Sequence, residues 1–305
     1  MTRHFLVDDD LSPAELVAVL DLADELKAAR REGRSTTPLQ GKSVAVVFEK
    51  HSTRTRLSFE VGIAELGAYP VILDAGTSQI SRGETIEDTA RVMSRMVDAI
   101  VIRTHGQERI EALADASNVP VVNALTDSYH PCQALSDLQT IRERFGRLEG
   151  LTLAYVGDGN NVTHSLLLSG AAAGLTVRVA SPKGLQPDPE VVARAARIGD
   201  VELLEDPQQA VKDAHVVYTD VWTSMGQEAG AEERHALLAP YQVNATLFDA
   251  AAHDAVLMHC LPAHREEEVT AEVMDGPRSL VWDQAENRLH AQKALLVSLL
   301  DGRLT

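Results

Sequence analysis

The segment that most constrains this chain is residues 44–66, where an apolar run passes through a polar cluster into a helical pattern. Residues 44–48 (Val-Ala-Val-Val-Phe) form a continuous apolar run, which is typical of a buried parallel strand. From Leu57 onward, apolar residues recur at roughly helical spacing with polar residues between them. Residues 52–56, Ser-Thr-Arg-Thr-Arg, are therefore predicted to lie where a strand ends and a helix begins.

This junction predicts an anion-binding site. The first N–H groups of a helix lack backbone partners, and the positive end of the helix dipole lies beside them. Hydroxyl and guanidinium side chains at the same place favour one bound anion, and phosphate is the natural candidate. The plain alternative is a helix cap followed by two solvated arginines, but the unbroken polar run after a buried strand favours phosphate. A Walker loop is excluded, because G-x-x-x-x-G-K-[ST] is missing.

The charge of the chain limits its partners. A net charge of −17 argues against nucleic acids and anionic membranes, and it requires any bound phosphate to rely on a local arginine cluster. Cys132 and Cys260 are the only cysteines and have neither C-x-x-C spacing nor a disulfide framework, which is typical of a reducing cytoplasm. We find no signal-peptide pattern at residues 1–10 and no apolar run of membrane-spanning length, so we expect a soluble cytoplasmic protein.

Strand-like and helix-like segments alternate along the chain, which predicts an α/β fold with parallel sheets. The 305 residues suffice for two domains, and a turn-rich bridge at 146–150 separates the two halves. The predicted strands are 44–48, 71–73, 99–102, 119–123, 151–156, 177–180, 215–218 and 255–258. Ligands of such sheets gather at the carboxyl ends of the strands, so the residues that follow each strand are the candidates for function.

In the first half, the candidates carry positive charge or hydrogen-bond donors. Arg103 follows a strand, and His130 and Gln133 open a helix; a surface arginine and a simple helix cap are the alternatives. Arg288 lies in the first turns of the last helix, where a positive charge is unusual unless an anion is near. The polar loop 74–84 also contains Gln79, although a solvated loop is the favoured interpretation from the sequence alone.

In the second half, the candidates suit an amino acid. The segment 157–161 follows a strand, but Val162 occupies the third glycine position of G-x-G-x-x-G, which disfavours a dinucleotide. Asn160 and Asn161 offer amides, and Asp220 and Ser224 follow another strand and could hold an amine head group. A turn with a capping Asp is the alternative for Asp220, and the spacing favours neither. Cys260 also follows a strand, where either a buried small hydrophobe or a reactive thiol is possible. The two halves together indicate a phosphorylated donor, an amino-acid acceptor and chemistry in the cleft between the domains.

Four segments, in order along the chain, resemble the motifs of the ornithine carbamoyltransferases. They are 52–56 (Ser-Thr-Arg-Thr-Arg), 130–133 (His-Pro-Cys-Gln), 220–226 (Asp-Val-Trp-Thr-Ser-Met-Gly) and 259–262 (His-Cys-Leu-Pro). Aspartate carbamoyltransferases are similar in the first two segments but not in the last two, so the second domain would determine the acceptor. The resemblance implies two doubly wound parallel-sheet domains bridged by helices. We expect domain boundaries at 1–145 and 146–283, with the helix 284–305 packed back on the first domain.

The resemblance also implies a role for each matching residue. Carbamoyl phosphate would be bound by Ser52, Thr53, Arg54, Thr55, Gln79, Arg103, His130, Gln133, Cys260, Leu261 and Arg288, with Gln79 reaching across a subunit boundary. Ornithine would be bound by Asn161, Asp220, Ser224 and Met225. Catalysis would involve Arg54, Arg103, His130, Asp220 and Cys260. The expected assembly is a homotrimer or a multiple of it, and no metal or organic cofactor is required.

The implied reaction is attack of the neutral δ-amine of ornithine on the carbamoyl carbon, with loss of phosphate to give citrulline, as in arginine biosynthesis. Two alternatives remain: a carbamoyltransferase for another amine (putrescine, N-acetylornithine or aspartate), and a non-catalytic regulator that senses phosphate. Both are disfavoured because the motifs at 220–226 and the cationic residues are intact. The sequence leaves open the direction of the reaction, allosteric effectors, the role of His51, and which of Asn160 and Asn161 contacts the amino acid.

Overall fold

The computed structural model of the chain describes residues 2–74, 76, 83–223 and 230–304. The chain forms two compact units, which are described separately. Unit 1 comprises Met1–Gln139 and Glu286–Thr305, and unit 2 comprises Thr140–Ala285. Among the described residues, no helix is both long and apolar enough to span a bilayer.

Unit 1 contains a four-stranded parallel sheet. Its strands are β1 (Ser43–Phe48), β2 (Tyr69–Asp74), β3 (Ala99–Arg103) and β4 (Val121–Leu125). Its helices are α1 (Pro13–Arg31), α2 (Thr53–Glu65), α3 (Ile86–Met93) and α4 (Gln107–Ala116), preceded by a 3-10 helix, Asp8–Asp10. The strand order is β2-β1-β3-β4, and all three pairings are parallel. Helix α5 (Pro131–Phe145) then carries the chain across the boundary into unit 2.

Unit 2 contains a five-stranded parallel sheet in the order β7-β6-β5-β8-β9. The strands are β5 (Thr152–Val156), β6 (Thr176–Ala180), β7 (Val201–Leu204), β8 (Val216–Thr219) and β9 (Val256–His259). The helices are α6 (Asn161–Ala172), α7 (Pro189–Ile198), α8 (Pro207–Val211), α9 (Ala231–Leu238), α10 (Ala245–Phe248) and α11 (Ala271–Met274), with a 3-10 helix at Ala239–Tyr241. Helix α12 (Val281–Leu300) returns the chain to unit 1. The predicted α/β class with two parallel sheets is confirmed.

Strand order reverses once in each sheet, and these reversals determine where a ligand can bind. In unit 1 the reversal lies between β1 and β3, and in unit 2 it lies between β5 and β8. Connections leave opposite faces of the sheet at such a point, so the carboxyl ends of the two strands border a crevice. The segments that leave these strands begin at Glu49, Thr104, Gly157 and Asp220. All four belong to, or directly adjoin, the segments that the sequence singles out.

Three of the four strands in unit 1 are almost wholly buried. All five residues of β3 and of β4 are buried, as are the last five residues of β1. Strand β4 begins two residues later than predicted, because Pro120 has no N–H to donate; its carbonyl instead accepts from Ile100 N at 2.9 Å. Strand β7 was not predicted, because it is an edge strand with two exposed residues and lacks a buried apolar run.

Candidate active site

The Ser-Thr-Arg-Thr-Arg segment forms the start of helix α2. Ser52 is the N-cap residue, in an extended conformation, and its Oγ accepts from Thr55 N at 3.2 Å. Ser52 Oγ also donates to Thr55 Oγ1 at 2.9 Å, and Thr55 is fully buried. Thr53 is exposed and Arg54 is half-buried. The segment therefore combines a rigid, hydroxyl-lined helix start with an arginine in its first turn.

Helix α12 brings a second guanidinium to this helix start. Arg288 is 3% exposed, and its Nη2 donates to Thr55 Oγ1 at 2.7 Å. This contact explains a positive charge in the first turns of a helix. Arg54 Nε is buried without a hydrogen-bond partner in the described part of the chain. A buried guanidinium N–H in this position is suited to donate to a ligand.

Three further polar side chains of unit 1 lie at the end of β3 and at the start of α5. Arg103 ends β3, lies in register with Phe48 at the end of β1, and is 8% exposed. His130 directly precedes α5 and is 5% exposed. One turn along, Gln133 donates from Nε2 to Asp137 Oδ1 at 2.8 Å. Gln133 Oε1 is buried without a partner among the residues described here.

These side chains interact electrostatically and form one cluster. The pKa of His130 is held well below its ordinary value, first by burial and then by the positive charges of Arg288, Arg103 and Arg54. The imidazole is therefore neutral at pH 7 and can donate one hydrogen bond without adding charge. We call Arg54, Arg103, His130 and Arg288 the cationic cluster. Its three guanidiniums would be stabilised by an anion of two negative charges.

In unit 2, the loop after β5 is tied to the loop after β8. Asn160 is the N-cap residue of α6, and its Oδ1 accepts from Val162 N at 2.9 Å and Thr163 N at 3.2 Å. Its Nδ2 donates to Asp220 Oδ2 at 2.8 Å. Both ends of the Asn160 amide are thus engaged in holding the fold. Asn161 is the first residue of α6 and is half-buried.

Asp220 and Cys260 meet at the carboxyl ends of β8 and β9. Thr219 and His259 are in register, so the residues after them are neighbours. Cys260 Sγ donates to Asp220 Oδ1 at 2.9 Å, and Val221 N donates to the same oxygen at 2.8 Å. Asp220 is 4% exposed. A nearly buried carboxylate with several donors is held in one orientation and is suited to bind an ammonium group.

The turn after Cys260 is fixed by buried polar groups. His259 Nδ1 accepts from Leu261 N at 2.9 Å, and His259 Nε2 lies 3.4 Å from Glu268 Oε1. Both His259 and Glu268 have fully buried side chains. Leu261 has φ of +61°, a left-handed conformation that side chains other than glycine rarely adopt. Such strain persists only where the surroundings enforce it and is common at functional sites.

The candidates from the sequence therefore fall into two groups, one in each unit. Unit 1 contains Ser52, Thr53, Arg54, Thr55, Arg103, His130, Gln133 and Arg288. Unit 2 contains Asn161, Asp220, Cys260 and Leu261. Gln79, Ser224 and Met225 lie outside the described residues. His51 is exposed and precedes the N-cap residue of α2.

Two ion pairs beside these groups had no signal in the sequence. Glu49 accepts from the Arg109 guanidinium, and Asp158 Oδ2 accepts from Arg234 Nη2 at 2.5 Å. The members of each pair are 60 and 76 residues apart in the chain. The one sequence feature that could have suggested them is position: Glu49 directly follows β1, and Asp158 lies two residues after the end of β5.

Two models of one protein family match the chain. Residues 3–143 match the family model of the aspartate/ornithine carbamoyltransferase carbamoyl-P binding domain. Residues 149–299 match the model of the Asp/Orn binding domain of the same family. Together the two matches cover almost the whole chain.

Whole proteins give the same result. The chain is 60% identical to an ornithine carbamoyltransferase of Parafrankia sp. strain EAN1pec, over 98% of this chain and 96% of that protein. It is 62% identical to one of Acidothermus cellulolyticus, over 99% and 98% of the two chains. The solved ornithine carbamoyltransferase of Pyrococcus furiosus superposes with a TM-score of 0.95 at 51% identity, over 99% of this chain and 98% of that one. With this fold and these matches, the chain belongs to the aspartate/ornithine carbamoyltransferase family.

Proposed function

We propose that this protein transfers the carbamoyl group of carbamoyl phosphate to the δ-amine of L-ornithine, giving L-citrulline and phosphate. The observation that carries the proposal is the cationic cluster of unit 1: the charges of three guanidiniums lower the pKa of the buried His130, and one of them, Arg103, ends β3 at the strand-order reversal. In a chain with a net charge of −17, such a cluster is suited to a small dianion. The relatives reported above, which match over at least 96% of their length, are named ornithine carbamoyltransferases.

Unit 1 binds the donor in this proposal. The helix start formed by Ser52, Thr53, Arg54 and Thr55 receives the phosphate group, with the dipole of α2 behind it. Arg288 contributes a charge to the same group through its contact with Thr55. Arg103, His130 and Gln133 receive the carbonyl and amino ends of the carbamoyl group. Gln79 of a neighbouring subunit and Cys260 and Leu261 complete the donor site.

Unit 2 binds the acceptor. Asp220 pairs with an amine of ornithine, and its fixed orientation comes from Asn160 and Cys260. Asn161, Ser224 and Met225 bind the remaining part of the amino acid. This assigns the donor to residues 1–145 with the helix 284–305, and the acceptor to 146–283. The contact between Arg288 and Thr55 supports the inclusion of the last helix with the donor domain.

The chemistry follows from the charges. The neutral δ-amine attacks the carbamoyl carbon, which places negative charge on the carbonyl oxygen; collapse of the tetrahedral species expels phosphate. Arg54, Arg103 and His130 stabilise the developing oxyanion and the leaving phosphate, the kind of preorganised electrostatic contribution that is usually largest in such transfers. The alkyl amine of ornithine is an ammonium group at neutral pH, so it must lose a proton before it attacks. Asp220 and Cys260 orient the amine as this proton leaves. Simultaneous binding of both substrates adds the proximity contribution.

We also propose that the protein acts in the cytoplasm as a homotrimer or a multiple of it, in the citrulline-forming step of arginine biosynthesis. The use of Gln79 from a neighbouring subunit requires an oligomer. Helix α2 supports one, since Leu57 and Val61 lie one turn apart on it and are 58% and 39% exposed. Apolar side chains at this spacing on the helix that carries the phosphate loop are suited to contact another copy.

The proposal is tested by offering carbamoyl phosphate with ornithine, aspartate, putrescine or N-acetylornithine and measuring the ureido product. We expect citrulline from ornithine and no comparable product from the other amines. Product from a different amine would overturn the assignment of the acceptor and leave the donor assignment intact. Binding of carbamoyl phosphate with no product from any amine would indicate a non-catalytic phosphate sensor.

A further inference from the structure

A largely buried carboxylate lies at the carboxyl end of β1, close in the chain to the proposed phosphate loop. Glu49 directly follows β1, three residues before Ser52. Its side chain is 9% exposed, and its backbone N–H donates to the Arg103 carbonyl at 2.9 Å. A negative charge at this place opposes the binding of a phosphate, because the low-dielectric surroundings screen it poorly.

The charge of Glu49 is balanced by a residue that has no assigned function. Arg109, in the first turn of α4, donates from Nε to both carboxylate oxygens at 3.0 and 2.8 Å and from Nη2 to Oε1 at 2.6 Å. Thr104 Oγ1 donates to the same carboxylate. Burial alone would raise the pKa of Glu49, but these hydrogen bonds and the charge of Arg109 hold it below its ordinary value. Glu49 is therefore ionised at neutral pH and neutralised by a forked ion pair.

The basic residue next to Glu49 in the chain does not balance its charge. Lys50 Nζ is paired with the carboxylate of Asp127, on the segment after β4. The Arg109–Glu49 pair also ties the segment after β1 to α4. The hydrogen bond from Thr104 ties the same carboxylate to the residue that follows β3. The pair thus affects both the charge and the geometry of the ends of β1 and β3.

We propose that Arg109 is a positioning residue for the donor substrate: it cancels the charge of Glu49 and so allows a phosphate dianion to bind at the neighbouring loop. This inference rests on the proposed function of unit 1. Arg109 touches no substrate in this proposal and acts only through Glu49. Its substitution should therefore weaken phosphate binding as long as Glu49 remains charged.

The test compares four variants by their dissociation constant for inorganic phosphate and their KM for carbamoyl phosphate. We expect Arg109→Gln to raise both constants about tenfold, as one unbalanced nearby charge would. Glu49→Gln alone should raise neither the dissociation constant nor the KM. The double variant Glu49→Gln/Arg109→Gln should return close to wild type, and Arg109→Lys should lie between wild type and Arg109→Gln. Arg91→Gln is the matched control, since Arg91 forms an exposed pair with Asp88 in the same unit.

The double variant separates this role from a merely structural one. If the ion pair only stabilised the fold, the double variant would bind phosphate as weakly as Arg109→Gln, and that result would overturn the inference. Wild-type protein that binds phosphate but makes no citrulline would overturn the proposed function alone, and the four phosphate constants would still decide the inference. Wild-type protein that binds neither phosphate nor carbamoyl phosphate would overturn both.

Discussion

At the scale of single residues, the candidate site depends on which guanidiniums face inward. Arg54 and Arg56 belong to the same motif, but Arg54 has a buried Nε, whereas Arg56 is exposed and pairs with Glu60 at 3.3 Å. The sequence alone could not separate the two, because both lie in the first turn of one helix. Their different burial depends on how α2 packs against the rest of unit 1.

Arg54→Ala is expected to lower kcat by about 10²- to 10³-fold, the usual cost of removing one preorganised donor to a developing oxyanion. Steady-state citrulline formation at saturating ornithine measures it. Arg56→Ala is the matched control and should retain near-normal kcat. Near-normal turnover by Arg54→Ala would refute the role assigned to this residue.

His130 is expected to remain neutral at pH values well below the ordinary pKa of histidine. Burial and the guanidiniums of Arg288, Arg103 and Arg54 all disfavour the imidazolium. In an NMR titration of the imidazole, identified with a His130→Asn variant, the His130 signal should not titrate between about pH 8 and 6, although a free histidine does. Bound phosphate should raise its pKa, because the anion offsets the guanidiniums. A midpoint near the ordinary value without phosphate would show that the cationic cluster is not assembled.

At the scale of elements, apolar runs were sufficient to predict most of the buried strands. β1, β3, β5, β8 and β9 lie within one residue of their predicted bounds at each end. Residues 12–15, Ser-Pro-Ala-Glu, form a capping box at the start of α1, in which Ser12 N donates to Glu15 Oε2 at 2.8 Å. The ion pairs of Glu49 and Asp158 could not be predicted, because their partners come from distant elements that the sheets bring together.

Helix α9 is expected to position the acceptor loops through Arg234. Its Nε donates to the Trp222 carbonyl at 2.8 Å and its Nη2 to Asp158 Oδ2, so it ties the segment after β8 to the segment after β5. Burial raises the pKa of Asp158 and Arg234 opposes this effect. Arg234→Gln would leave that carboxyl without its cationic partner.

We expect Arg234→Gln to raise the KM for ornithine on the order of tenfold, as loss of one charged hydrogen bond would. Its affinity for inorganic phosphate should not change, because the contacts of Arg234 lie in unit 2. Arg278→Gln, which breaks an exposed pair with Asp249, is the matched control. Equal losses of ornithine and phosphate binding would argue that Arg234 supports the fold in general.

At the scale of the whole molecule, the chain retains buried basic groups that limit its stability in acid. His290 on α12 is fully buried, and its pKa is lowered to about 4 by burial and by the charges of Lys293 and Lys27, with Glu286 opposing. The unfolded chain therefore binds a proton at His290 between about pH 6.5 and 4, whereas the folded chain does not. Stability contributed by the neutral imidazole is present above this window and is lost as the pH falls through it.

The free energy of unfolding is expected to fall by an amount on the order of 3 kcal/mol between about pH 6.5 and 4. Urea unfolding at several pH values should show a shallower pH dependence for His290→Gln than for wild type between pH 6.5 and 4. His253→Gln is the control, since His253 is exposed. Parallel pH profiles for wild type and His290→Gln would contradict this origin of the acid sensitivity.

The central claim is that unit 1 binds the donor and unit 2 binds the acceptor. It is tested most directly by calorimetric binding of carbamoyl phosphate to wild type, Arg54→Ala and Asp220→Asn. Citrulline formation is measured on the same samples. We expect Arg54→Ala to lose most of its affinity for carbamoyl phosphate. Asp220→Asn should bind carbamoyl phosphate as wild type does and yet form almost no citrulline, because it has lost the carboxylate that holds the amine. Weak carbamoyl phosphate binding by both variants, or citrulline formation by Asp220→Asn at the wild-type rate, would contradict separate donor and acceptor units.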